Sequence, residues 1–192
     1  MKKLIVMVFL GISACAAPKA DPFAASSNVA ISQAERESFL DKYELGASDQ
    51  IRVMVYGEPQ LSGQYLVNDR GRIIMPLIGE VTAAGLSIDE LCEQITQELT
   101  DGYLVDAQVA AEIVEFRPYY ILGEINNGGQ FEFRVGMTVT KAIAAAGGFT
   151  YRANRSVAFI KRSGATDEVK VDISDGVRVE PGDEIRVKER FF

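Results

Sequence analysis

Histidine is absent from this chain of 192 residues, and so is tryptophan. Without an imidazole, the chain has no histidine base, no Ser/His triad and no histidine-ligated metal site. A phosphate-binding loop is also missing, because Gly147 and Gly148 follow a predicted helix, whereas anion sites use the loop that precedes one. We therefore predict a protein that is not an enzyme, with no catalytic residue, no metal and no cofactor.

The N-terminus carries a predicted secretory signal peptide, residues 1–14. Two lysines precede an unbroken apolar run from Leu4 to Leu10, which is too short to span a bilayer permanently. The residues ISAC at 12–15 resemble the bacterial lipobox, in which the cysteine sulfur receives a diacylglycerol. We therefore predict lipid attachment at Cys15, with anchoring of ~0.8 kcal/mol per buried CH₂. The alternative is an ordinary signal peptide in which Cys15 is incidental.

Cysteine and clustered basic charge are both scarce in the rest of the chain. The only other cysteine, Cys92, lies in a predicted helix, where we expect a small buried or half-buried side chain. With Cys15 acylated, no disulfide can form within the mature chain.

Removal of Lys2 and Lys3 with the signal leaves 18 basic residues against 27 acidic ones, a net charge of −9. This acidic balance argues against nucleic acid as a partner.

Hydrophobic patterning predicts a tether followed by two folded units. Residues 15–41 form an N-terminal tether in which 31–40 could be a short helix, and the units are 42–116 and 117–192. In the first unit, a turn at 68–71 is expected to join two strands as a hairpin. A capping box, Ser87 with Glu90, opens its amphipathic helix. The predicted strands of the first unit are 50–55, 64–67, 72–75, 77–81 and 108–116.

The second unit has a β-grasp-like pattern, in which one helix packs on a sheet. Thr138 can cap this helix, 139–146, and Gly147 and Gly148 can end it. The fold class is therefore α+β, with a mixed β-sheet and one main helix in each unit. The predicted strands of the second unit are 119–125, 130–133, 156–161, 168–171 and 184–187.

One turn-into-strand device is predicted to occur twice. The residues SDQIRV at 48–53 are echoed by GDEIRV at 182–187. Asp49 and Asp183 could be a glycosidase pair. Aspartate in a turn more often holds nearby backbone N–H groups, which favours a structural role for both.

The opening of the first unit, YELGASDQIRV at 43–53, resembles the bacterial polysaccharide biosynthesis/export domain, whose motif is commonly Tyr-x-Leu-Gly-x-Gly-Asp. The stretches 120–125, 137–139, 142–149 and 179–183 resemble the SLBB domain, a β-grasp module named for presumed soluble-ligand binding. Ser48 stands where the family usually has glycine, so this turn has either a negative φ or a strained positive one. The motif residues that carry the resemblance, all with expected structural roles, are Tyr43, Leu45, Gly46, Asp49, Gly123, Gly147, Gly148, Pro181, Gly182 and Asp183.

The chain thus resembles a short form of the Wza-type outer-membrane polysaccharide export family, with one export domain and one SLBB domain. The resemblance implies a lipid-anchored protein on the periplasmic face of the outer membrane, forming a ring through which capsular or extracellular polysaccharide passes. It also implies two kinds of partner, further copies of the chain and an inner-membrane polysaccharide co-polymerase. After the signal, the sequence has no run of ~20 apolar residues. We therefore expect a separate outer-membrane β-barrel protein as a third partner. The alternatives are a monomeric carbohydrate-binding lipoprotein that uses the SLBB unit, and a glycan-modifying enzyme.

Two sets of side chains in the second unit are candidates for contacts with a glycan. Tyr119, Tyr120 and Tyr151 could stack on sugar rings, although alternation along the strand favours a core position for Tyr120. Five basic residues could contact an anionic glycan or a neighbouring subunit, or could form a solvated face: Arg134, Arg152, Arg155, Lys161 and Arg162.

Overall fold

A computed structural model describes residues 32–190, which form one compact unit with two hydrophobic cores. The helices are α1 (Gln33–Leu40), α2 (Ile88–Thr100) and α3 (Val139–Ala145), with a short 3-10 turn at Ile173–Asp175. The strands are β1 (Gln50–Val55), β2 (Gly63–Leu66), β3 (Arg72–Met75), β4 (Gly79–Thr82), β5 (Val109–Glu115), β6 (Tyr119–Gly123), β7 (Gly129–Phe131), β8 (Val157–Lys161), β9 (Val169–Asp172) and β10 (Glu184–Val187). The predicted α+β class is confirmed.

The first half runs from α1 to β5 and is here called the export half after the resemblance of its opening motif. It packs α2 against antiparallel strands. Its three-stranded sheet has the order β2-β1-β5, and β3 pairs with β4 in a separate hairpin. Ser87 and Glu90 form the predicted capping box, and α2 buries Leu91, Ile95 and Leu99 completely. Each of these side chains contributes about 1.5–3 kcal/mol by leaving water.

The predicted hairpin between the second and third strands is wrong in its pairing. The turn itself forms, because the Gly71 N–H donates to the Asn68 carbonyl and the Asn68 N–H to the Arg72 carbonyl. Beyond the turn, β2 pairs with β1, whereas β3 pairs with β4. Local turn chemistry therefore fixed the bend but not the ladder partners of the strands on either side.

The second half runs from β6 to β10 and is here called the SLBB half after the resemblance of its motifs. It is a five-stranded mixed sheet covered by α3. Its order is β7-β6-β10-β8-β9, and its first and last strands, β6 and β10, pair in parallel. Thr138 caps α3 as predicted, and Gly147 and Gly148 follow it with φ of 79° and 81°. The parallel pairing of β6 with β10, the first and last strands of this half, closes the β-grasp-like sheet.

Helix α1 lies within the segment predicted to be a tether, and it packs on both halves. Ser32 caps it through the Glu35 N–H. The Phe39 ring packs against both hydrophobic cores, and Phe116, between β5 and β6, does the same. The two cores are therefore bridged by aromatic side chains.

The strand β6 faces opposite to the expected phase. Tyr119 and Ile121 point into the core, and the expectation that Tyr120 is a core residue is wrong, because its exposed fraction is 41% against 1% for Tyr119.

Among residues 32–190, no helix has both the length and the apolar character needed to cross a membrane. The same part of the chain holds no group of three or more side chains placed to ligate a metal.

Candidate functional site

The export and SLBB halves are joined at Arg117, in the short connection between β5 and β6. Its backbone N–H donates to Asp49 Oδ1 at 2.6 Å, and its Nη1 lies 3.6 Å from Asp49 Oδ2. Its Nε donates to the Pro181 carbonyl at 3.2 Å, and its guanidinium lies over the Tyr43 ring at 5.5 Å. A Cβ on Gly46 would fall 1.6 Å from Nη1, so this close approach requires glycine. One residue of the connection thus binds motif residues of both halves.

Asp49 is completely buried, and both of its carboxylate oxygens accept hydrogen bonds. The Tyr43 hydroxyl donates to Oδ1 and Oδ2 at 2.8 and 2.7 Å, and the Gly46 N–H donates to Oδ2 at 2.7 Å. Burial, and then the negative charge of Asp49, raise the pKa of Tyr43 far above its usual range, so this hydroxyl stays a donor. A buried carboxylate is tolerated here because donors surround it.

Asp183 repeats the backbone geometry of Asp49, so the predicted reuse of one turn device is confirmed. The Glu180 N–H donates to Asp183 Oδ2 at 2.8 Å, three residues back, as the Gly46 N–H does to Asp49. The Asp183 N–H returns a bond to the Glu180 carbonyl at 3.2 Å. Both aspartates thus hold local backbone in turns that lead into strands.

The residues just before the two aspartates also match. Ser48 has φ of 73° and Gly182 has φ of 83°, so both turns need the left-handed region. Of the two alternatives left open for Ser48, the strained positive φ is therefore the one that occurs. The serine sits where an L side chain is disfavoured by about 1–2 kcal/mol.

The two carboxylates differ in how completely they are bonded. Arg162 Nη1 donates to Asp183 Oδ2 at 2.5 Å, whereas Asp183 Oδ1 is buried and has no hydrogen-bond partner among the described residues. Burial raises the pKa of Asp183, although the Glu180 N–H and the Arg162 charge oppose that shift. Asp183 is thus the weaker of the two anchors.

A cavity of about 570 Å³, here called the junction groove, lies between α1, the turn at Tyr43 and the segment 178–181. Four of its charged side chains are already paired with one another, because Arg178 pairs with Glu35 and Arg162 lies 3.8 Å from Glu180. Its apolar wall includes Phe39, whose ring centre is 5.5 Å from that of Tyr43 and 5.7 Å from that of Phe133. These contacts hold α1 to both halves, which makes the groove a structural joint.

Five basic residues were predicted to contact a glycan or a neighbouring subunit, and no two of them bind the same acidic side chain. Arg162 lines the junction groove, Arg134 pairs with Glu132 at 3.3 Å, and Arg152 pairs with Glu189. Lys161 is half-buried on β8, and Arg155 is exposed.

The remaining motif residues lie in turns or in the core. Leu45 is buried in the core of the export half. Gly123 has φ of 93°, and a Cβ there would lie 2.0 Å from the Val187 carbonyl oxygen. The Asn126 amide donates to the Gly147 carbonyl at 2.7 Å behind α3. Cys15 lies outside the described residues, and Cys92 is a half-buried free thiol, as expected.

Sequence reasoning missed the side chains that join the halves. In the sequence, Arg117 stands out only as the first residue of the second predicted unit, and Phe39 lies in the segment predicted to be a tether. The aspartates of the motif are the feature of the sequence that points to such a joint. A carboxylate buried in a turn requires hydrogen-bond donors from outside that turn, and the Arg117 N–H is one of them.

Comparisons with known proteins agree with this architecture. The polysaccharide biosynthesis/export protein family matches residues 39–114, and the SLBB domain family matches 118–171. The exopolysaccharide production protein ExoF of Rhizobium meliloti is 30% identical over 121 residues, covering 56% of this chain and 28% of ExoF. The polysialic acid transport protein KpsD of Escherichia coli is 24% identical over 139 residues, covering 71% of this chain and 25% of KpsD. The chain thus spans about a quarter of the length of these relatives. The chain thus contains a domain of the polysaccharide biosynthesis/export protein family, followed in the expected order by a domain of the SLBB family.

Proposed function

We propose that this protein is a non-enzymatic component of a machine that exports capsular or extracellular polysaccharide. The observation that carries the proposal is the order of the two matched domains, 39–114 and then 118–171, on a single compact unit. The relatives named for exopolysaccharide production and polysialic acid transport support it.

Loss of the gene tests this role directly. We expect less polysaccharide at the cell surface and an accumulation of polymer inside the envelope, with recovery when the wild-type gene is returned. Unchanged surface polysaccharide in the deletion strain would contradict an export role.

The protein is proposed to be a lipoprotein held at the periplasmic face of the outer membrane through Cys15. The support is the ISAC sequence that follows the short apolar run. Cys15→Ser should abolish labelling by a radioactive or clickable fatty acid and should release the protein from the membrane pellet or leave its signal uncleaved. Cys92→Ser is the matched control, because it removes the other cysteine and should leave labelling intact. Equal labelling of Cys15→Ser and wild type would contradict the assignment.

Copies of the chain are proposed to assemble into a ring around the polymer. The support comes from edge strands, whose unpaired backbone groups pair with other chains unless something covers them. Among the described strands, the edges β2, β5 and β9 each carry an exposed apolar side chain, namely Leu66, Val114 and Val169, with exposed fractions of 58%, 40% and 60%. A neighbouring copy could cover such edges through a heterologous contact, which closes into a ring when the rotation allows.

Mass measurement of the lipidated protein in detergent distinguishes this ring from a monomeric carbohydrate-binding lipoprotein. We expect one discrete oligomer, and cross-linking in cells should trap the same species. A monomer at every concentration, with negative cross-linking, would contradict the ring. An inner-membrane polysaccharide co-polymerase and a separate outer-membrane protein complete the proposed machine, and both should co-purify with the cross-linked species.

A further inference from the structure

A second groove, here called the strand groove, has a volume of about 500 Å³ and lies where the sheets of the two halves meet. This volume falls within the range of about 300–1,000 Å³ that is common for small-ligand sites, which often form between domains. Its lining comes from the start of β1, the ends of β2 and β5, and the strands β6 and β7. The residues that the argument uses are Ser48, Gln50, Glu115, Tyr120, Gln130 and Glu132.

The polar side chains of the strand groove are largely unpaired. Within residues 32–190, the side chains of Gln50, Glu115, Gln130 and Tyr120 make no hydrogen bond or ion pair. The junction groove differs, since Arg178 already binds Glu35 there and Arg162 lies near Glu180. Side-chain amides offer two donors and an acceptor, and a carboxylate accepts at two oxygens. The strand groove therefore keeps hydrogen-bonding capacity for a ligand.

Tyr120 supplies an aromatic surface beside these polar groups. It points away from the core, and its direct neighbours across the sheet are Gln130 on β7 and Glu184 on β10. An exposed aromatic ring next to amide and carboxylate groups offers an apolar face together with hydrogen-bond partners. Sugar rings have this combination of surfaces, with C–H groups on their faces and hydroxyls around their edges.

The charge of the strand groove selects among sugars. Its lining contains the carboxylates of Glu115 and Glu132 and no basic side chain, and Arg134 reaches Glu132 at 3.3 Å from outside the lining. An unpaired carboxylate repels an anionic sugar and accepts hydrogen bonds from sugar hydroxyls. The groove therefore fits an uncharged, hydroxyl-rich ring better than a uronic or sialic acid.

Ser48, on the rim of the strand groove, adds an independent observation. It has φ of 73°, and the equivalent position in the turn before β10 is Gly182. The Ser48 hydroxyl makes no hydrogen bond among the described residues. Backbone strain in a non-glycine residue is often retained at binding sites. Here the strain presents a free hydroxyl at the groove.

We propose that the strand groove binds one uncharged pyranose ring of the polysaccharide, stacked on Tyr120 and hydrogen-bonded by Gln50, Glu115 and Gln130. This inference rests on the proposed export function and names a binding site and a sugar class for it. The rival occupant, a neighbouring copy of the chain, is an outcome of the test.

The test uses the full-length lipidated protein in detergent and four defined hexasaccharides. Three are neutral (gluco-, galacto- and manno-configured), and the fourth is hexagalacturonate. Saturation-transfer NMR detects contact with the sugar protons, and calorimetry measures affinity. We expect at least one neutral hexasaccharide to bind and hexagalacturonate to bind more weakly or not at all.

Four variants locate the site. Tyr120→Ala should weaken binding about threefold to tenfold through loss of stacking. Tyr120→Phe should retain most of the affinity, because it keeps the ring. Ser48→Gly removes a hydroxyl without straining the backbone and should weaken binding by up to about fivefold. Tyr151→Ala is the matched control, since it removes another exposed tyrosine of the SLBB half that is not in the groove lining.

Four results would overturn the inference. The first is that no neutral hexasaccharide binds. The second is that Tyr120→Ala binds as well as wild type. The third is that hexagalacturonate binds best. The fourth is that Tyr120→Ala changes the oligomer mass while sugar binding is unaffected, which would assign the groove to a contact between copies. A deletion strain that still exports polysaccharide contradicts the proposed function instead, so the two failures are distinguishable.

Discussion

Asp49→Asn and Asp183→Asn are nearly isosteric changes at two turns with the same backbone geometry, yet we expect very different losses of stability. Asparagine replaces one carboxylate oxygen by an NH₂ group, which donates and cannot accept. The outcome therefore depends on whether the replaced oxygen was accepting a hydrogen bond. At Asp49 both oxygens accept, whereas at Asp183 the oxygen Oδ1 has no partner among the described residues.

The magnitude at Asp49 follows from its donors. Oδ1 accepts from the Arg117 N–H at 2.6 Å, and Oδ2 accepts from the Gly46 N–H at 2.7 Å, so either orientation of an asparagine leaves one buried N–H facing another donor. An orphaned buried donor costs about 1–3 kcal/mol, and a charge-assisted bond is worth about 1.5–3 kcal/mol. We expect Asp49→Asn to lower the free energy of unfolding by about 3–5 kcal/mol.

The magnitude at Asp183 is smaller for the same reasons. The NH₂ group can occupy the position of Oδ1, while the remaining oxygen still accepts from the Glu180 N–H and from Arg162. Only the charge of one ion pair is lost, and Arg162 keeps Glu180 at 3.8 Å as a second partner. We expect Asp183→Asn to change the free energy of unfolding by at most about 1 kcal/mol.

Urea unfolding at neutral pH, followed by circular dichroism, measures both variants against wild type. In thermal unfolding, a loss of 1 kcal/mol lowers Tm by about 2–4 °C for a chain of this size. Tm should therefore fall by about 6–20 °C for Asp49→Asn and by at most about 4 °C for Asp183→Asn. Losses within about 1 kcal/mol of each other, or a larger loss for Asp183→Asn, would refute the hydrogen-bond argument.

Three further predictions concern backbone and pH. Because burial raises the pKa of Asp183, its contribution to stability is full below the unfolded value of about 3.9 and is lost as pH rises through the folded pKa. Asp183→Asn should therefore flatten the urea stability profile in that window, and an unchanged profile would contradict this. Gly123→Ala should cost about 3 kcal/mol or more in urea unfolding, because its Cβ would meet the Val187 carbonyl. Gly164→Ala, with open space at its positive φ, should cost only about 1 kcal/mol, so equal losses would contradict the steric reason. Ser48→Gly should leave stability unchanged or raise it by up to about 1 kcal/mol, because relief of strain outweighs added chain entropy, and a clear fall in Tm would contradict this.

Local patterns in the sequence predicted the parts of the fold that local forces decide. The capping box at Ser87 and Glu90 depends on residues three apart, so it could be recognised without knowledge of the tertiary structure. The two turns could be matched to each other because each aspartate bonds the N–H three residues before it. Strand β10 has the predicted bounds, since the turn that precedes it fixes where it begins.

The orientation of β6 could not be predicted, because its sequence YYILG is apolar at both parities. Alternation assigns faces only when one parity is polar. The inward face was decided instead by the parallel register with β10, where Ile185 lies beside Ile121 and both are completely buried. The exposed side of β6, which carries the proposed sugar contact at Tyr120, therefore depended on a pairing that spans more than sixty residues.

Long-range pairing also explains why the joint between the halves was missed. Asp49 and the Arg117 N–H are 68 residues apart, and no periodicity in the sequence connects them. A buried carboxylate nevertheless implies that donors must arrive from somewhere, because leaving it unpaired costs several kcal/mol. Counting the donors within the turn of Asp49 gives Tyr43 and Gly46, which still leaves lone pairs on both oxygens. The shortfall in local donors is the one signal in the sequence that a distant partner had to exist.

The two grooves at the joint differ in how many of their polar side chains already have partners. In the junction groove, Arg178 with Glu35 and Arg162 with Glu180 pair across the cavity. A ligand that displaced these pairs would have to replace their electrostatic energy. In the strand groove, Gln50, Glu115 and Gln130 exchange only water for a ligand. Binding there loses no protein–protein bond, so modest contacts to each sugar ring can give net affinity. A polymer that moved through the proposed export machine would need contacts that are specific in chemistry and weak in energy, as the contacts proposed for the strand groove are.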